Sequence, residues 1–450
     1  MRGWTPDRLA TVAGARSLAA TTAAGGPERV TIDSREVRPG DLFVGLPGTR
    51  VDGGRFAPRA LASGAWGVLV RPEHAEAARC APPGVLLAAE DPLAALQRLA
   101  RQWRRELACA VIAITGSTGK TSTKDILAAL LAPARRTVAS RANLNTEIGL
   151  PLAVLEAPAG TEALVLELAM RGPGQIAELA AIAEPDVGVI VNVGPVHLEL
   201  MGSLEAVAAA KAELIVALSP GATAVLPAGE PLLAPHLRDD VETVTFGEGG
   251  DVSLAGVSGD GRVVVRAPGR DIELEPGFRQ AYHRLNLLAG VAAALAVGVE
   301  PAGRIDVAFS AMRGQRIAAA GDVVLINDCY NANPMSVRAA LEDLAEQAAG
   351  RRVAVLGDML ELGPGANDFH RQAGRQAREA GVDVLVTVGE LAARLLDEFP
   401  GEGHAVGSAA EAAALLPELL APGDTVLLKG SRGVGLEAVA EALTGAEAVR

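Results

Sequence analysis

Short apolar runs alternate with longer stretches of helical spacing along most of the chain, and the alternation changes character twice. From about residue 110 it is strict. Runs at 111–114, 163–168 and 187–193 predict strands buried on both faces. Helical patterns at 121–131, 174–183 and 203–218 separate them. Residues 222–275 carry shorter β pieces, which predict an antiparallel edge or subsheet, and 284–297 reads as an Ala/Leu-rich helix. A second rhythm follows, with strands at 323–327, 353–356, 384–388 and 425–429 and helices at 336–349, 368–380, 390–398, 409–420 and 436–443. The first hundred residues differ: strand-like pieces at 29–32, 41–45 and 66–70 are broken by Gly and Pro, and an amphipathic helix with a basic face spans 91–107. Strands alternating with helices imply mostly parallel sheets. The expected fold is α/β in three domains: a smaller α/β domain over 1–100, a central P-loop ATPase-type sheet over 101–314, and a Rossmann-like open sheet over 315–450, with the junction near 311–320.

Composition narrows the function classes. The 450 residues are 49% hydrophobic but only 3% aromatic, so the cores are aliphatic. With 41 basic against 54 acidic residues the formal net charge is −13, which argues against a nucleic-acid partner but not against small phosphate esters. Cys80, Cys109 and Cys329 are far apart and odd in number, so neither a disulfide framework nor a Cys-based metal site is expected. The apolar stretch at 9–15 is too short and too closely flanked by Asp7, Arg8 and Arg16 for a signal peptide; instead Thr5 caps a helix with Pro6 in its first turn. The longest uncharged apolar run, 287–299, falls short of the roughly 20 residues a membrane span needs. A cytoplasmic monomer without membrane insertion is the expectation.

The sharpest chemical signal is Thr115-Gly116-Ser117-Thr118-Gly119-Lys120-Thr121-Ser122, between a predicted strand and a predicted helix. In that context successive backbone N–H groups and the helix N-terminus face an anion, Lys120 neutralises the outer phosphates and the Thr121 hydroxyl binds Mg²⁺. Ile114 stands where the common phosphate loop has its first Gly, so this is a variant loop. Further on, Glu167 ends an apolar strand, His197 follows another in Asn-Val-Gly-Pro-Val-His, and Lys211 lies on a helix. By themselves Glu167 reads equally as an edge carboxylate, His197 as a structural loop histidine and Lys211 as a solvated charge.

The loop is similar to the ATP loop of the Mur ligase superfamily, which also contains the folylpolyglutamate synthetases, and the segment from Asn192 through Lys211 to Leu214 resembles that family's metal-binding stretch. The resemblance implies ATP and Mg²⁺ as cofactors. Gly116, Ser117, Thr118, Gly119, Lys120, Thr121 and Ser122 would hold the nucleotide; Thr121, Glu167, His197 and Lys211, the last as a carbamate, would hold the metal. Lys120, His197 and Lys211 would serve catalysis. Residues 143–151 resemble the family's NxNNxIGxP stretch with Thr146 in place of an Asn, which carries over Asn145 as a site residue. His283-Arg284-Leu285-Asn286 resembles the region near adenine and carries over Asn286. Arg316 is carried over as an ATP-phosphate ligand, with Arg313 close by.

Asp328-Cys329-Tyr330-Asn331-Ala332-Asn333-Pro334 and Leu356-Gly357-Asp358-Met359-Leu360-Glu361-Leu362-Gly363 resemble the branch of that family that adds D-alanyl-D-alanine to UDP-N-acetylmuramoyl-tripeptide. This implies Asp328 at ATP and Asn331 and Asn333 at the substrate, with Lys429 and Arg432 as weaker candidates. Asp33-Ser34-Arg35 resembles the UDP-sugar-binding domain, which implies Ser34 and Arg35 as substrate ligands; Gly54 departs from the family's Asp-Gly-His-x-Phe. The implied reaction converts the tripeptide carboxylate to an acyl phosphate, which the dipeptide amine then attacks. The alternatives are another Mur ligase or a folylpolyglutamate synthetase-like ligase, a P-loop ATPase or kinase, and a non-catalytic nucleotide-binding scaffold.

Overall fold

The apolar runs become strands of four sheets in a computed structural model that describes residues 1, 3–19, 25–141 and 143–445. The first sheet contains β1 (Arg16–Ala19), β2 (Arg29–Thr31), β3 (Asp41–Val44), β4 (Gly67–Val70) and β5 (Val85–Ala88) in the order β1-β5-β4-β3-β2. Only β1 runs antiparallel to its neighbour. The predicted strands β2, β3 and β4 are present, and β1 and β5 add to them. Thr5 caps the helix Pro6–Ala13 by accepting from the Arg8 amide.

Helix Pro92–Leu107 ties this sheet to the next. Asp91 caps it, and its apolar stripe of Leu96, Leu99, Ala100 and Trp103 is buried in one core shared with Leu42, Leu69 and Leu87 of the first sheet and Val111, Leu164 and Leu166 of the second. Trp103 meets Trp4 edge-on at 6.0 Å, and its indole N–H donates to the Ala157 carbonyl at 2.9 Å. Paired rings gain roughly 1 kcal/mol beyond area burial, and the bonded N–H leaves no polar cost behind.

The central sheet is parallel throughout: β6 (Ala110–Thr115), β7 (Thr137–Ala139), β8 (Ala163–Glu167), β9 (Val187–Ile190), β10 (Thr223–Pro227) and β11 (Glu242–Phe246), in the order β11-β10-β9-β6-β8-β7. The expectation for 222–275 is corrected in part. β10 and β11 extend the central sheet in parallel, because their apolar residues Ala224, Val225 and Phe246 pack into its cores. Only β12 (Ser253–Val257), β13 (Val263–Ala267) and β14 (Arg270–Pro276) form the antiparallel subsheet, closed by the parallel β15 (Gly303–Ile305). The apolar helix Ala281–Ala296 packs along helix Lys120–Leu131, with Leu287, Ala289 and Val291 fully buried.

The last sheet has the order β16-β17-β21-β18-β19-β20, from β16 (Gln315–Ala319), β17 (Val323–Asn327), β18 (Arg352–Gly357), β19 (Val384–Val388), β20 (Glu402–Val406) and β21 (Thr425–Lys429). β16, lying where a hinge was expected, pairs antiparallel with β17 as an edge strand, and β20 was likewise unforeseen. Residues 392–398, predicted as part of an α-helix, form a 3₁₀ helix. The Asp358 carboxylate takes the Ala392 amide at 2.7 Å, fixing the start of this turn from another strand. In the central and last sheets the loops that follow the strands at their C-terminal ends open on one cleft, as expected of open α/β sheets.

Candidate active site

The phosphate loop leaves β6 at Thr115 and enters helix Lys120–Leu131 through Gly119, which has φ 77°. A Cβ at Gly119 would lie 2.7 Å from the Asn286 side-chain oxygen, so both conformation and space demand glycine there. The same contact brings Asn286, 5% exposed in the second turn of its apolar helix, onto the loop.

A residue not singled out from sequence shapes the loop from the other side. The Asn192 side-chain oxygen accepts from the Ser117 and Thr118 amides, both at 3.0 Å, and its amide donates to the Thr118 carbonyl at 3.2 Å. Ser117 also exchanges hydrogen bonds with the backbone of Gly194 through its hydroxyl. Asn192 lies two residues past β9, and a polar side chain just beyond a fully buried strand was the available signal. Lys120 reaches back to the Gly116 carbonyl at 2.9 Å, and desolvation pulls its pKa below 10.5 against the opposing pull of Glu167.

Below the loop the polar groups converge on Glu167. This carboxylate, 3% exposed at the end of β8, accepts from the Thr121 hydroxyl at 2.9 Å and the Asn145 amide at 2.9 Å. Hydroxyl and carboxylate oxygens side by side are a donor set that fits Mg²⁺. Lys211 is 1% exposed and has no hydrogen-bond acceptor or carboxylate partner among the described residues. Burial lowers its pKa well below 10.5, and the like charge of Lys120 adds to the effect. A lowered pKa favours the unprotonated amine, the form that reacts with CO₂, and the resulting carbamate would offer two oxygens to a cation. His197, at φ 53° ahead of helix Leu198–Met201, binds Glu361 through Nδ1, and burial lowers its pKa although that carboxylate opposes the shift. Among the described residues no three His, Cys, Asp or Glu side chains form a metal cluster, so the fit to Mg²⁺ rests on the oxygens of Glu167 and Thr121, and Lys211 is not among the residues lining the cavity.

The last sheet supplies the facing wall. Asp328 follows β17 and Lys429 ends the adjacent β21, and the Lys429 ammonium donates to the Asp328 carboxylate at 2.6 Å and to the Asn331 carbonyl at 3.1 Å. Asn333 caps helix Pro334–Gln347 in a capping box with Ser336 and donates from its amide to the Ser117 carbonyl at 3.4 Å, joining this wall to the phosphate loop. The two walls enclose a cavity of about 1340 Å³, lined by residues 117–122, Asn145, Glu167, His197, Asn286, Asp328, Asn331 and Asn333. That exceeds the roughly 300–1,000 Å³ of a single small-molecule site.

Some expected site residues lie elsewhere. Arg316 is not part of the lining; it sits on β16 with its guanidinium 3.5 Å from Asp343. Arg313 lines the cavity instead, its guanidinium 4.0 Å above the Tyr330 ring. Ser34 and Arg35 occupy a turn after β2, away from the lining, where Arg35 pairs with Asp33 at 2.6 Å and holds that carboxyl down at about 2. At Gly54 a Cβ would fall 2.3 Å from the imidazole of His74, which itself lies 3.3 Å from Asp52, so the space beside that glycine is already filled.

Three family descriptions match the chain in order: the Mur ligase family catalytic domain over residues 28–104, the Mur ligase middle domain over 114–294, and the Mur ligase glutamate ligase domain over 312–432. A Mycobacterium tuberculosis protein named UDP-N-acetylmuramoyl-tripeptide--D-alanyl-D-alanine ligase is 38% identical over 92% of this chain and 91% of its own length. A Bacillus subtilis protein of the same name is 34% identical over 92% of each. Among solved structures, MurF from Acinetobacter baumannii superposes with a TM-score of 0.87 at 29% identity, covering 98% of this chain and 99% of its own. MurF ligase from Thermotoga maritima in complex with ADP gives 0.79 at 31%, covering 92% and 96%. The chain belongs to the Mur ligase family.

Proposed function

We propose that this protein is an ATP-dependent amide ligase that joins D-alanyl-D-alanine to UDP-N-acetylmuramoyl-tripeptide, a step in making the peptidoglycan precursor. The observation that carries the reading is the meeting, in one cavity, of the phosphate loop with the Asp328-to-Asn333 loop of the last sheet. Relatives bearing the corresponding name cover nine-tenths of the chain, which supports the same acceptor. Residues 101–314 then form the ATP-binding domain, 315–450 the Rossmann-like domain that closes over it, and 1–100 the domain for the UDP sugar, with Ser34 and Arg35 as its candidate ligands.

Joining a carboxylate to an amine requires a better leaving group than oxide. A carboxylate oxygen of the tripeptide attacks the γ-phosphorus of ATP, the bond to the bridging oxygen breaks, and ADP leaves. The dipeptide amine then attacks the acyl carbon, the carbon–oxygen bond to phosphate breaks, and the amine gives up its proton. The amides of residues 116–122 and Lys120 bind the phosphates, and Asn286, packed against Gly119, is the candidate contact on the adenine side. Thr121, Glu167, His197 and carbamylated Lys211 would hold Mg²⁺, which when bound supplies positive charge against the transferring phosphoryl group. Asn145 fixes one oxygen of Glu167 and so orients the carboxylate. Asp328, Asn331, Asn333 and Arg313 of the facing wall position the substrates and keep water from the acyl phosphate.

The test is phosphate release from ATP and Mg²⁺ with UDP-muramoyl-tripeptide, with and without D-alanyl-D-alanine. Release requiring both, with a UDP-pentapeptide product by mass, is expected. Sustained release without the dipeptide would support the ATPase alternative, and release only with a different amine would transfer the chain to another branch of the family.

A further inference from the structure

His197 and Glu361 stand 164 residues apart on different walls of the cavity, and each holds a left-handed backbone conformation uncommon for a residue with a Cβ (φ 53° and 62°). Each is at a loop tip. His197 precedes helix Leu198–Met201 of the central domain, and Glu361 precedes the 3₁₀ turn Gly363–Gly365 of the last. The tips are joined twice: His197 Nδ1 bonds a carboxylate oxygen of Glu361, and the Glu199 amide donates to the Glu361 carbonyl at 3.2 Å. The other carboxylate oxygen lies 3.9 Å from the Arg171 guanidinium, so central-domain groups hold both oxygens.

A carboxylate only accepts hydrogen bonds, so the proton in this contact belongs to Nδ1. A neutral imidazole protonated at Nδ1 has its lone pair at Nε2, the form in which histidine binds a metal. Histidines that ligate metals commonly donate their second nitrogen to such a carboxylate, which fixes the tautomer and strengthens the ligand. Here the carboxylate comes from another domain.

We propose that Glu361 is a positioning residue for His197: docking of the last domain selects the Nδ1-protonated tautomer and leaves Nε2 available to the divalent cation, so that closure and cation binding favour each other. The inference rests on the reading of His197 as a metal ligand. By linkage the coupling is reciprocal: bound cation raises the closed-to-open ratio by the factor by which closure raises cation affinity. Loss of such a second partner typically weakens metal binding about 10- to 100-fold.

The test uses the full-length protein with ADP and Mn²⁺ as the probe, free Mn²⁺ being counted by electron paramagnetic resonance, and compares wild type with Glu361→Ala, Glu361→Gln and His197→Gln. Nitrogen-15 spectra of the histidine rings without metal report the tautomer, with His197, one of six histidines, identified by its loss in His197→Gln. Glu361→Ala is expected to weaken Mn²⁺ binding about 10-fold or more and to move His197 from the Nδ1–H form to a mixture. Glu361→Gln, whose amide oxygen still accepts from Nδ1–H, is expected to stay within about threefold of wild type and serves as the check should the alanine variant fold poorly. If His197→Gln weakens Mn²⁺ binding while Glu361→Ala changes neither affinity nor tautomer, the role given to Glu361 is wrong and the metal reading stands. If His197→Gln leaves Mn²⁺ binding unchanged, the metal reading of His197 fails and the coupling falls with it.

Discussion

Lys211 in the central domain and Lys429 in the last are almost equally hidden, at 1% and 2% exposure, and they differ in company. Lys429 has a carboxylate at 2.6 Å and a carbonyl at 3.1 Å, so its charge is answered within the fold. Among the described residues Lys211 has neither, and the like charge of Lys120 disfavours its ammonium form further. A buried ammonium without partners is costly, and the usual outcome is loss of the proton. The pair therefore separates two uses of a buried lysine: one is a strut between two strand ends, the other an amine whose pKa burial and the Lys120 charge of the phosphate loop push down. Only the second has free chemistry, and carbamate formation with CO₂ would turn it from a poor neighbour for a cation into a good one.

The contrast breaks most sharply under substitution. Lys211→Ala is expected to lower the rate of pentapeptide formation by roughly 10²–10³-fold while leaving chemical denaturation unchanged or shifted to higher stability. Because burial depresses the Lys211 pKa, the folded state binds fewer protons than the unfolded one. The residue's contribution to stability therefore worsens as pH falls below 10.5, and the variant should gain on wild type in that direction. Lys429→Met is expected to do the reverse in kind, costing about 3 kcal/mol of stability in urea titration by leaving Asp328 without its cation. Equal stability losses in the two variants would erase the distinction.

A smaller effect separates the two arginines near the junction. Burial pushes the Asp343 carboxyl up to about 6, with Arg316 pulling the other way. A raised carboxyl pKa means stability that is complete below 3.8 and lost as pH rises through about 6. Wild type should thus lose roughly 2 kcal/mol relative to Asp343→Asn between about pH 4.5 and 7.5, measured by denaturation at each pH. Smallest is the kinetic split: Arg313→Ala should raise the KM for ATP about tenfold and Arg316→Ala less than about twofold, since hydrogen bonds to charged groups contribute about 1.5–3 kcal/mol and only Arg313 faces the cavity. The reverse order would restore Arg316 as the ATP ligand.

Much of the central sheet was readable because its strands are buried on both faces and read as unbroken apolar runs. The phosphate loop was readable because its glycines and Lys120 are contiguous. The burial of Lys211 was also present in the sequence: Val207, Ala208, Leu214 and Ile215, three and four residues away on either side, place it on the inner face of helix Leu204–Ala217. What the sequence hides is contact at long range. Asn192 clasps a loop more than 70 residues away, Glu361 reaches His197 from another domain, and His74 fills the space beside Gly54. None of these has a local pattern, since each partner looks ordinary until the chain brings the two together. Arg313 and Arg316 show the limit in miniature: three residues apart, they differ only in what the fold sets before them.

The central claim is that the tripeptide carboxyl is activated by phosphorylation within this cavity, and it makes a definite demand on one oxygen atom. With ¹⁸O in both oxygens of the tripeptide carboxyl that becomes the amide, the account predicts one ¹⁸O in each phosphate released, as measured by mass spectrometry, together with unlabelled ADP. Phosphate without the label, or label in AMP, would mean that the carboxylate never took the γ-phosphoryl group, and the mechanism derived from this site would be wrong.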